Sequence, residues 1–152
     1  MPAAELIAAM KVRFAAEEFA LGIEIDRTRL LETLRALRDR HGYRLYVSAT
    51  ATDRPDRIEV LHGLRNLDTC DTLWVKVGLP KQDAEVDSAA FLYAGAEWQE
   101  REIFDLFGVR FRSHPDLRRI LMPDEYEGHP LLKQFPIDAP WGYRPAGADR
   151  QS

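Results

Sequence analysis

The sequence predicts an α+β domain of two layers, with helices on one face of a small mixed or antiparallel sheet and an extended proline-rich arm behind it. In two segments of the first 40 residues, apolar residues recur with the 3.6-residue period of an α-helix. Near residue 43 the spacing of apolar residues changes to the two-residue period of a strand. Six prolines follow residue 113, which disfavours regular structure there. At 152 residues, one core is expected. We therefore predict a domain over residues 1–129 and an arm over residues 130–152.

The first helix is predicted over residues 3–20, which are rich in helix formers. Met10 and Phe14 lie on one stripe of this helix, at the spacing of an amphipathic helix. Gly22 is expected to end it, and residues 23–25 then alternate as a short strand.

The second helix is predicted over residues 27–40. Asp26 is a favourable N-cap, and Gly42 is the natural residue to end the helix in a left-handed conformation. Leu34 and Leu37 belong to the stripe that this helix should bury. The two helices can cover one face of the sheet that follows.

Three strands are predicted over residues 43–50, 57–64 and 73–77, joined by turns as an antiparallel meander. Cys70, just before the third strand, is interpreted as a small packing residue. On the first strand, the residues expected on the apolar face are Tyr43, Leu45, Val47 and Ala49.

Residues 81–87 are predicted to form a polar loop, and Ser88 to cap a short helical segment over residues 89–93. A third helix is then predicted over residues 97–107, ended by Gly108. The apolar face of this helix is expected to consist of Ile103, Leu106 and Phe107, and a brief strand should follow over residues 109–112.

Composition excludes several classes of function. The net charge of −4 gives no reason to expect a nucleic acid or an anionic membrane as partner. A single cysteine allows no intrachain disulfide and cannot supply the thiolates of an iron–sulfur cluster or a cysteine-based zinc site. Lys11 and Arg13 interrupt the apolar amino terminus, and no run is long enough to span a bilayer. The chain is expected to be cytoplasmic, without a membrane span.

The charge-dense stretch over residues 97–136 is the predicted functional centre. Glu100 and Glu102 are two residues apart on a helix and do not face each other, which argues against a catalytic pair. His114 and His129 could bind a metal with nearby acids, as in a small hydrolase, but no HExxH spacing supports this. That hydrolase hypothesis stays as one alternative, although capping of the turns before the prolines is favoured for both histidines.

The stretch also lacks the motifs of nucleotide binding and serine hydrolysis. It holds eight acidic residues and six Lys or Arg, and this mixture favours ion pairing with a protein over contact with a polyanion. Beyond residue 130, apolar residues alternate with prolines, so this arm needs a surface to lie on, either its own domain or a partner. Both possibilities stay open at this point.

Four motifs in this stretch resemble a family signature: Glu100-Arg101-Glu102, Asp105-Leu106-Phe107-Gly108, residues 114–121 (HPDLRRIL) and residues 127–131 (EGHPL). They are similar to those of the C subunit, or thirty-kilodalton subunit, of respiratory complex I, the proton-pumping NADH:quinone oxidoreductase. The likeness covers about forty residues, and Leu132 and Gln134 depart from the charged residues usual in the family.

The resemblance implies a subunit with no cofactor and no catalytic site of its own. It implies a peripheral place on the cytoplasmic side of the inner membrane, among the other peripheral-arm subunits and chiefly against the quinone-site subunit. Contact with the membrane would be indirect, and NADH oxidation, quinone reduction and proton pumping would belong to the assembly. An equivalent subunit of a membrane-bound hydrogenase is the second alternative. The residues expected to dock the partner are Glu100, Arg101, Glu102, Asp105, His114, Asp116, Arg118, Arg119, Glu127, His129, Lys133, Phe135 and Trp141.

Overall fold

A computed structural model describes residues 3–136 of the chain. Single 3-10 turns precede the second helix, at Arg27–Arg29, and the sixth strand, at Lys81–Asp83. The helices and strands are α1 (Ala3–Phe14), β1 (Glu17–Phe19), β2 (Gly22–Ile25), α2 (Leu30–His41), β3 (Leu45–Asp53), β4 (Arg57–Arg65), β5 (Thr72–Pro80), β6 (Glu85–Asp87), α3 (Ala96–Phe107) and β7 (Arg110–Arg112).

The main sheet has five strands in the order β1-β2-β5-β4-β3. Strands β3, β4 and β5 form the predicted antiparallel meander, and β2 joins β5 in parallel. The sheet is therefore mixed, and the predicted α+β class is confirmed. In residues 3–136 no helix is both long and apolar enough to cross a bilayer.

The core lies between the helices and one face of this sheet. Its helical side includes Met10 and Phe14 of α1 and three leucines of α2, all of them buried: Leu30, Leu34 and Leu37. Its sheet side includes Val60 of β4 and Val75 of β5, which are fully buried. The opposite face of the sheet carries ion pairs, such as Lys76 Nζ to Glu24 Oε2 at 2.6 Å. One face is apolar and covered while the other is charged, as expected for a two-layer domain.

The second helix follows the sequence prediction closely. Asp26 accepts a hydrogen bond from the backbone N–H of Thr28, and this cap starts a 3-10 turn that leads into α2. Gly42 ends the helix with a φ of 76°.

The predicted first helix is too long. It ends at Phe14, Ala15 takes a φ of 51°, and Glu17–Phe19 forms β1 on the edge of the sheet. Antiparallel pairing of β1 with β2 supplies its backbone with partners, and this tertiary pairing outweighs the helix propensity of the segment.

For the first of the three predicted strands, which is β3, the predicted apolar face is wrong at Leu45 and Val47, because β3 contains a bulge between Tyr46 and Ser48. Tyr43 is buried as predicted, and Ala49 is partly buried against the core. The extra residue reverses the alternation, so Tyr46 is buried, whereas Leu45 and Val47 are 43% and 44% exposed. Inside the core, the Tyr46 hydroxyl lies 2.7 Å from Nδ1 of His62.

Three smaller predictions also need correction. Part of the predicted polar loop is β6, which pairs in parallel with β7, a contact between distant segments. Residues 89–93 form turns around the carbonyl of Ala89 rather than a helix. Cys70 is exposed, with a φ of 61°, so it is not a packing residue.

Candidate functional site

Helix α3 positions the candidate site. It begins within one residue of the predicted start and ends as predicted at Gly108, which has a φ of 75°. Ile103 is buried as expected, whereas Leu106 and Phe107 are only half-buried. Much of the buried surface of this helix is instead charged, because Glu100, Arg101 and Asp105 all point into the protein.

Asp105 is the centre of the site. Its Oδ1 atom accepts a hydrogen bond from Nη1 of Arg119 at 2.5 Å. Its Oδ2 atom accepts three more, from the consecutive backbone N–H groups of Ile120, Leu121 and Met122, at 3.1, 2.7 and 2.8 Å. One carboxylate thus fixes four residues of a segment that has no helix or strand.

The charge of Asp105 is stabilised by these donors. Burial raises the pKa of Asp105, but the N–H of Met122, the guanidinium of Arg119 and the two other N–H groups outweigh it, so the pKa lies below the ordinary value. The carboxylate is therefore ionised at neutral pH, and it forms a largely buried ion pair with Arg119.

Arg119 and His129 join the end of α3 to the following segment. Arg119 Nη2 donates to the carbonyl of Gly128 at 2.9 Å. His129 Nδ1 lies 2.9 Å from the carbonyl oxygen of Asp105, so this nitrogen carries the proton and donates. Residues 119 and 129 are thereby held against the same turn of the helix.

Arg101 performs a similar task earlier on the helix. Its guanidinium donates to the carbonyls of Arg118 and Arg119 at 3.2 and 3.1 Å. The same guanidinium lies 4.8 Å from the ring centre of Trp98, a cation–π distance. Arg101 is therefore held in place by two backbone oxygens and an aromatic ring.

Glu100 occupies a separate buried environment. It accepts hydrogen bonds from the Ser88 hydroxyl at 2.5 Å and from the Ala89 N–H at 2.7 Å. Nε2 of His114 lies 3.9 Å from its carboxyl group, and the His114 side chain is fully buried. Burial raises the pKa of Glu100 to about 7, although both donors act to lower it.

His114 uses both ring nitrogens to order the chain. Nε2 lies 2.9 Å from the carbonyl of Glu97, and Nδ1 accepts a hydrogen bond from the Asp116 N–H at 3.0 Å. Because Nδ1 accepts, the ring is neutral in this arrangement, with its proton on Nε2. In residues 3–136 there is no group of three or more His, Cys, Asp or Glu side chains placed to hold a metal.

The remaining predicted docking residues lie nearer the surface. Glu102 is exposed on α3, and Lys133 is exposed further along. Asp116 and Arg118 form an exposed ion pair, and Glu127 and Phe135 are half-buried. Trp141 lies outside the described residues. Six of the predicted residues thus bind groups of their own chain through inward hydrogen bonds, namely Glu100, Arg101, Asp105, His114, Arg119 and His129.

The start of the predicted arm rests on the domain. The Leu131 N–H donates to the carbonyl of Leu106 at 3.0 Å, and Leu132 packs against the core. The Lys133 N–H donates to Oδ2 of Asp53 at 2.8 Å, and Lys81 pairs with the other oxygen at 2.6 Å. Residues 130–136 therefore lie on their own domain.

Sequence reasoning missed Asp53, the hydrogen bond of Ser88 to Glu100 and the inward direction of Glu100. One signal was available for Glu100, because it lies three and seven residues before Ile103 and Phe107, on the same helical stripe. A charged residue on an apolar stripe indicates a buried polar contact. No local pattern identifies Asp53, whose partner lies 80 residues away.

The fold and the site together define a class of protein: a small α+β domain that holds an irregular carboxyl-terminal segment with buried charged side chains of one helix. A family described as the respiratory-chain NADH dehydrogenase, 30 Kd subunit, matches residues 23–140. The chain belongs to this family.

Similar proteins agree with this membership. The C subunit of the NADH-quinone oxidoreductase of Moorella thermoacetica is 39% identical, over 88% of this chain and 90% of that protein. The C subunit of the Geobacter sulfurreducens enzyme is 37% identical, over 78% of this chain and 75% of that protein. A protein of Ectopseudomonas mendocina named as the C/D subunit of the same oxidoreductase is 34% identical over 89% of this chain, which spans 26% of its length.

Two solved structures share the fold. A trypsin-resistant fragment of Nqo5 has a TM-score of 0.64 at 26% identity, covering 75% of this chain and 97% of the fragment. A chain of an archaeal membrane-bound sulfane sulfur reductase has a TM-score of 0.78 at 24% identity, covering 90% of this chain and 86% of that one. The second likeness concerns the fold alone.

Proposed function

We propose that this chain is a docking subunit of the peripheral arm of NADH:quinone oxidoreductase and that its main partner is the quinone-site subunit. Family membership over residues 23–140 is the observation that carries this proposal. The chain is accordingly a complex I subunit, and neither the hydrogenase nor the hydrolase alternative is favoured by its relatives' names.

The geometry of the site supports a structural role. Four motif side chains bind backbone amides and carbonyls of residues 116–128, and this arrangement orders a segment without helices or strands: Arg101, Asp105, His114 and Arg119. Ordering a surface before association lowers the conformational entropy lost on binding. We infer that the inward residues prepare the surface and that Glu102, Asp116, Arg118, Lys133 and the arm face the partner.

A relative named for both C and D in one chain supports the D subunit as the neighbour. Fusion keeps two parts of one assembly together at a high effective concentration. We propose that the D part is the quinone-site neighbour, and that the chain sits on the cytoplasmic side of the inner membrane and reaches the membrane only through the complex. NADH oxidation, quinone reduction and proton pumping then belong to the assembly, and the chain needs no cofactor.

The proposed arm over residues 130–152 can be tested in two parts. Residues 131–136 contact the domain, so removing residues 137–152 leaves those contacts in place, whereas removing residues 131–152 takes them away. Trp141 is among the residues removed in both truncations. Each truncated chain would be tagged, expressed in cells with the rest of the complex, and compared with the full chain.

We expect the full chain to co-purify with the D subunit, and both truncations to reduce this recovery, the longer one to background. A Lys11→Gln variant on α1, far in sequence from the site, controls for the effect of any change. Recovery of the D subunit by the longer truncation at the level of the full chain would refute docking through the arm. A stoichiometric metal or flavin in the purified chain would refute the cofactor-free role.

A further inference from the structure

We propose that the partner surface is an outward strip along α3, anchored by Trp98, Leu121 and Leu131 and rimmed by acidic side chains, and that it binds a basic face of the D subunit. This inference rests on the proposed docking function and specifies the surface and the chemistry of its partner. The family signature residues that point inward are not part of this strip.

The anchors are large apolar side chains on fixed backbone. Trp98, Leu121 and Leu131 are 59%, 57% and 51% exposed. The Leu121 N–H is bound by Asp105, and the Leu131 N–H is bound by the carbonyl of Leu106, so both leucines are tied to the last turns of α3. Trp98 lies on the same helix about 12 Å before Leu106, at a rise of about 1.5 Å per residue.

Apolar side chains in contact with water are unfavourable in free energy, and burial of the strip by a partner removes this contact. A rigid aromatic or aliphatic anchor loses little conformational entropy on binding, and buried tryptophans are frequent hot spots of protein interfaces. The cation–π contact of Trp98 with Arg101 holds its ring in place before binding.

The charge around the anchors depends on which Lys and Arg side chains are already paired within the chain. Of the six Lys and Arg in residues 97–136, Arg101 is buried against carbonyls and Arg119 against Asp105. Arg118 pairs with Asp116. On β7, Arg110 and Arg112 pair with Glu85 and Asp87, respectively. Lys133 is the one cation of this stretch without an ion pair in the described part of the chain.

Fewer of the acidic side chains in the same stretch form ion pairs. Glu102, Asp124 and Glu125 are exposed, Glu127 is half-buried, and none of these four forms an ion pair within residues 3–136. Four acids of the stretch are therefore unpaired within residues 3–136, against one unpaired cation, Lys133. An acidic rim around apolar anchors complements a partner face rich in Lys or Arg, and it disfavours a second copy of this chain.

The test is competition for assembly inside cells. A tagged variant and the untagged wild-type chain would be expressed together, and their ratio in the purified complex measured by mass spectrometry. We expect Trp98→Ala and Leu121→Gln each to lower incorporation at least fivefold; Leu121→Gln keeps the backbone N–H that Asp105 binds. Val12→Ala, at a side chain 89% exposed on α1, serves as the matched control and should compete equally.

The charge part is tested with the triple variant Glu102→Gln, Asp124→Asn, Glu125→Gln. Salt should release the wild-type chain from the purified complex progressively, because exposed charges are screened, and the triple variant should lose most of this salt dependence. Equal incorporation of all variants, while removal of residues 131–152 still abolishes binding, would overturn the strip and leave the docking function standing. Incorporation of the triple variant above the level of the wild-type chain would refute the proposal that the partner face is basic.

Discussion

The domain over residues 3–112 and the segment over residues 113–136 are ordered by different physical means. In the domain, helices and strands satisfy the backbone, and apolar side chains of α1, α2 and the sheet form the core. In the segment, the side chains of Arg101, Asp105 and Arg119 satisfy the backbone instead. The segment is therefore ordered without secondary structure of its own, and it should open independently of the core.

The largest effect is expected from Asp105→Ala. This change removes the carboxylate that pairs with Arg119 and leaves three backbone N–H groups without their acceptor, and loss of one partner from a buried ion pair costs about 3–5 kcal/mol. The free energy of opening should fall for residues 118–131 while amides of β4 and β5 stay protected. Hydrogen exchange resolved by residue measures both regions in one sample.

Asp116→Ala is the control for that experiment, because Asp116 also pairs with an arginine but at the surface. Exposed pairs contribute about 0–1 kcal/mol, so the segment should keep its protection. Equal loss of protection in β4 and in the segment after Asp105→Ala would show that the two regions open as one unit.

A slightly smaller effect is expected from Leu37→Ala, and it should extend to both regions instead of being confined to the segment. Leu37 is fully buried in the domain core, and a truncation of this kind costs about 3 kcal/mol through lost burial and the cavity left behind. Both regions should lose stability together, since the segment rests on the domain. Chemical denaturation followed by fluorescence gives the free energy of unfolding. If hydrogen exchange showed the segment still protected while the domain was not, the segment would not depend on the domain for its order.

Glu100 and Asp105 should give opposite pH dependence on the same helix. Because the folded pKa of Glu100 is raised to about 7, the folded state holds its proton more tightly, and stability is lost as the pH rises from about 4.5 to 7. The lowered pKa of Asp105 instead makes stability fall as the solution becomes acidic.

Glu100→Gln should remove the first of these two dependences. The amide can still accept from the Ala89 N–H, and it carries no charge to desolvate. Between pH 5 and pH 8 the wild-type chain should lose on the order of 2 kcal/mol more stability than this variant. Parallel stability profiles for the two proteins would exclude Glu100 as a titrating group in this range.

The smallest effect is expected from Asp53→Asn, which weakens the charge-assisted hydrogen bond from the Lys133 N–H and the ion pair with Lys81. The expected cost is about 1 kcal/mol, confined to residues 131–136. Faster exchange of the Lys133 amide, with an unchanged Leu121 amide, is the predicted result. A change at Leu121 of the same size would mean that the segment is one cooperative unit.

Local signals in the sequence were sufficient for several parts of the fold. Asp26, Gly42 and Gly108 mark helix ends through the chemistry of their own residues, and all three do so in the structure. The bulge at Val47 could not be predicted, because one inserted residue leaves no mark on composition while it reverses every later side chain. Strand β6 was missed because its partner β7 lies far along the chain.

In the candidate site, too, some features could be predicted from local sequence and others depend on contacts between distant residues. Its residues could be selected from the sequence by their density of charge and by likeness to the family, yet their direction could not. Whether Arg101 faces a partner or a carbonyl of Arg118 depends on where residues 113–136 cross α3, and that path is set by contacts between distant residues. Direction is a tertiary property, so it separates the inward motif residues from the outward strip only once the fold is known.

Hydrogen exchange of the isolated full chain tests whether α3 orders residues 113–136 before any partner binds. The amides of Leu121, Met122 and Leu131, which are bound by Asp105 and by the carbonyl of Leu106, should be protected in the free protein. Their protection should change little when the rest of the complex is present. Exchange of these three amides at the rate of an unstructured peptide, with protection appearing only in the complex, would show that the partner orders the segment and α3 does not.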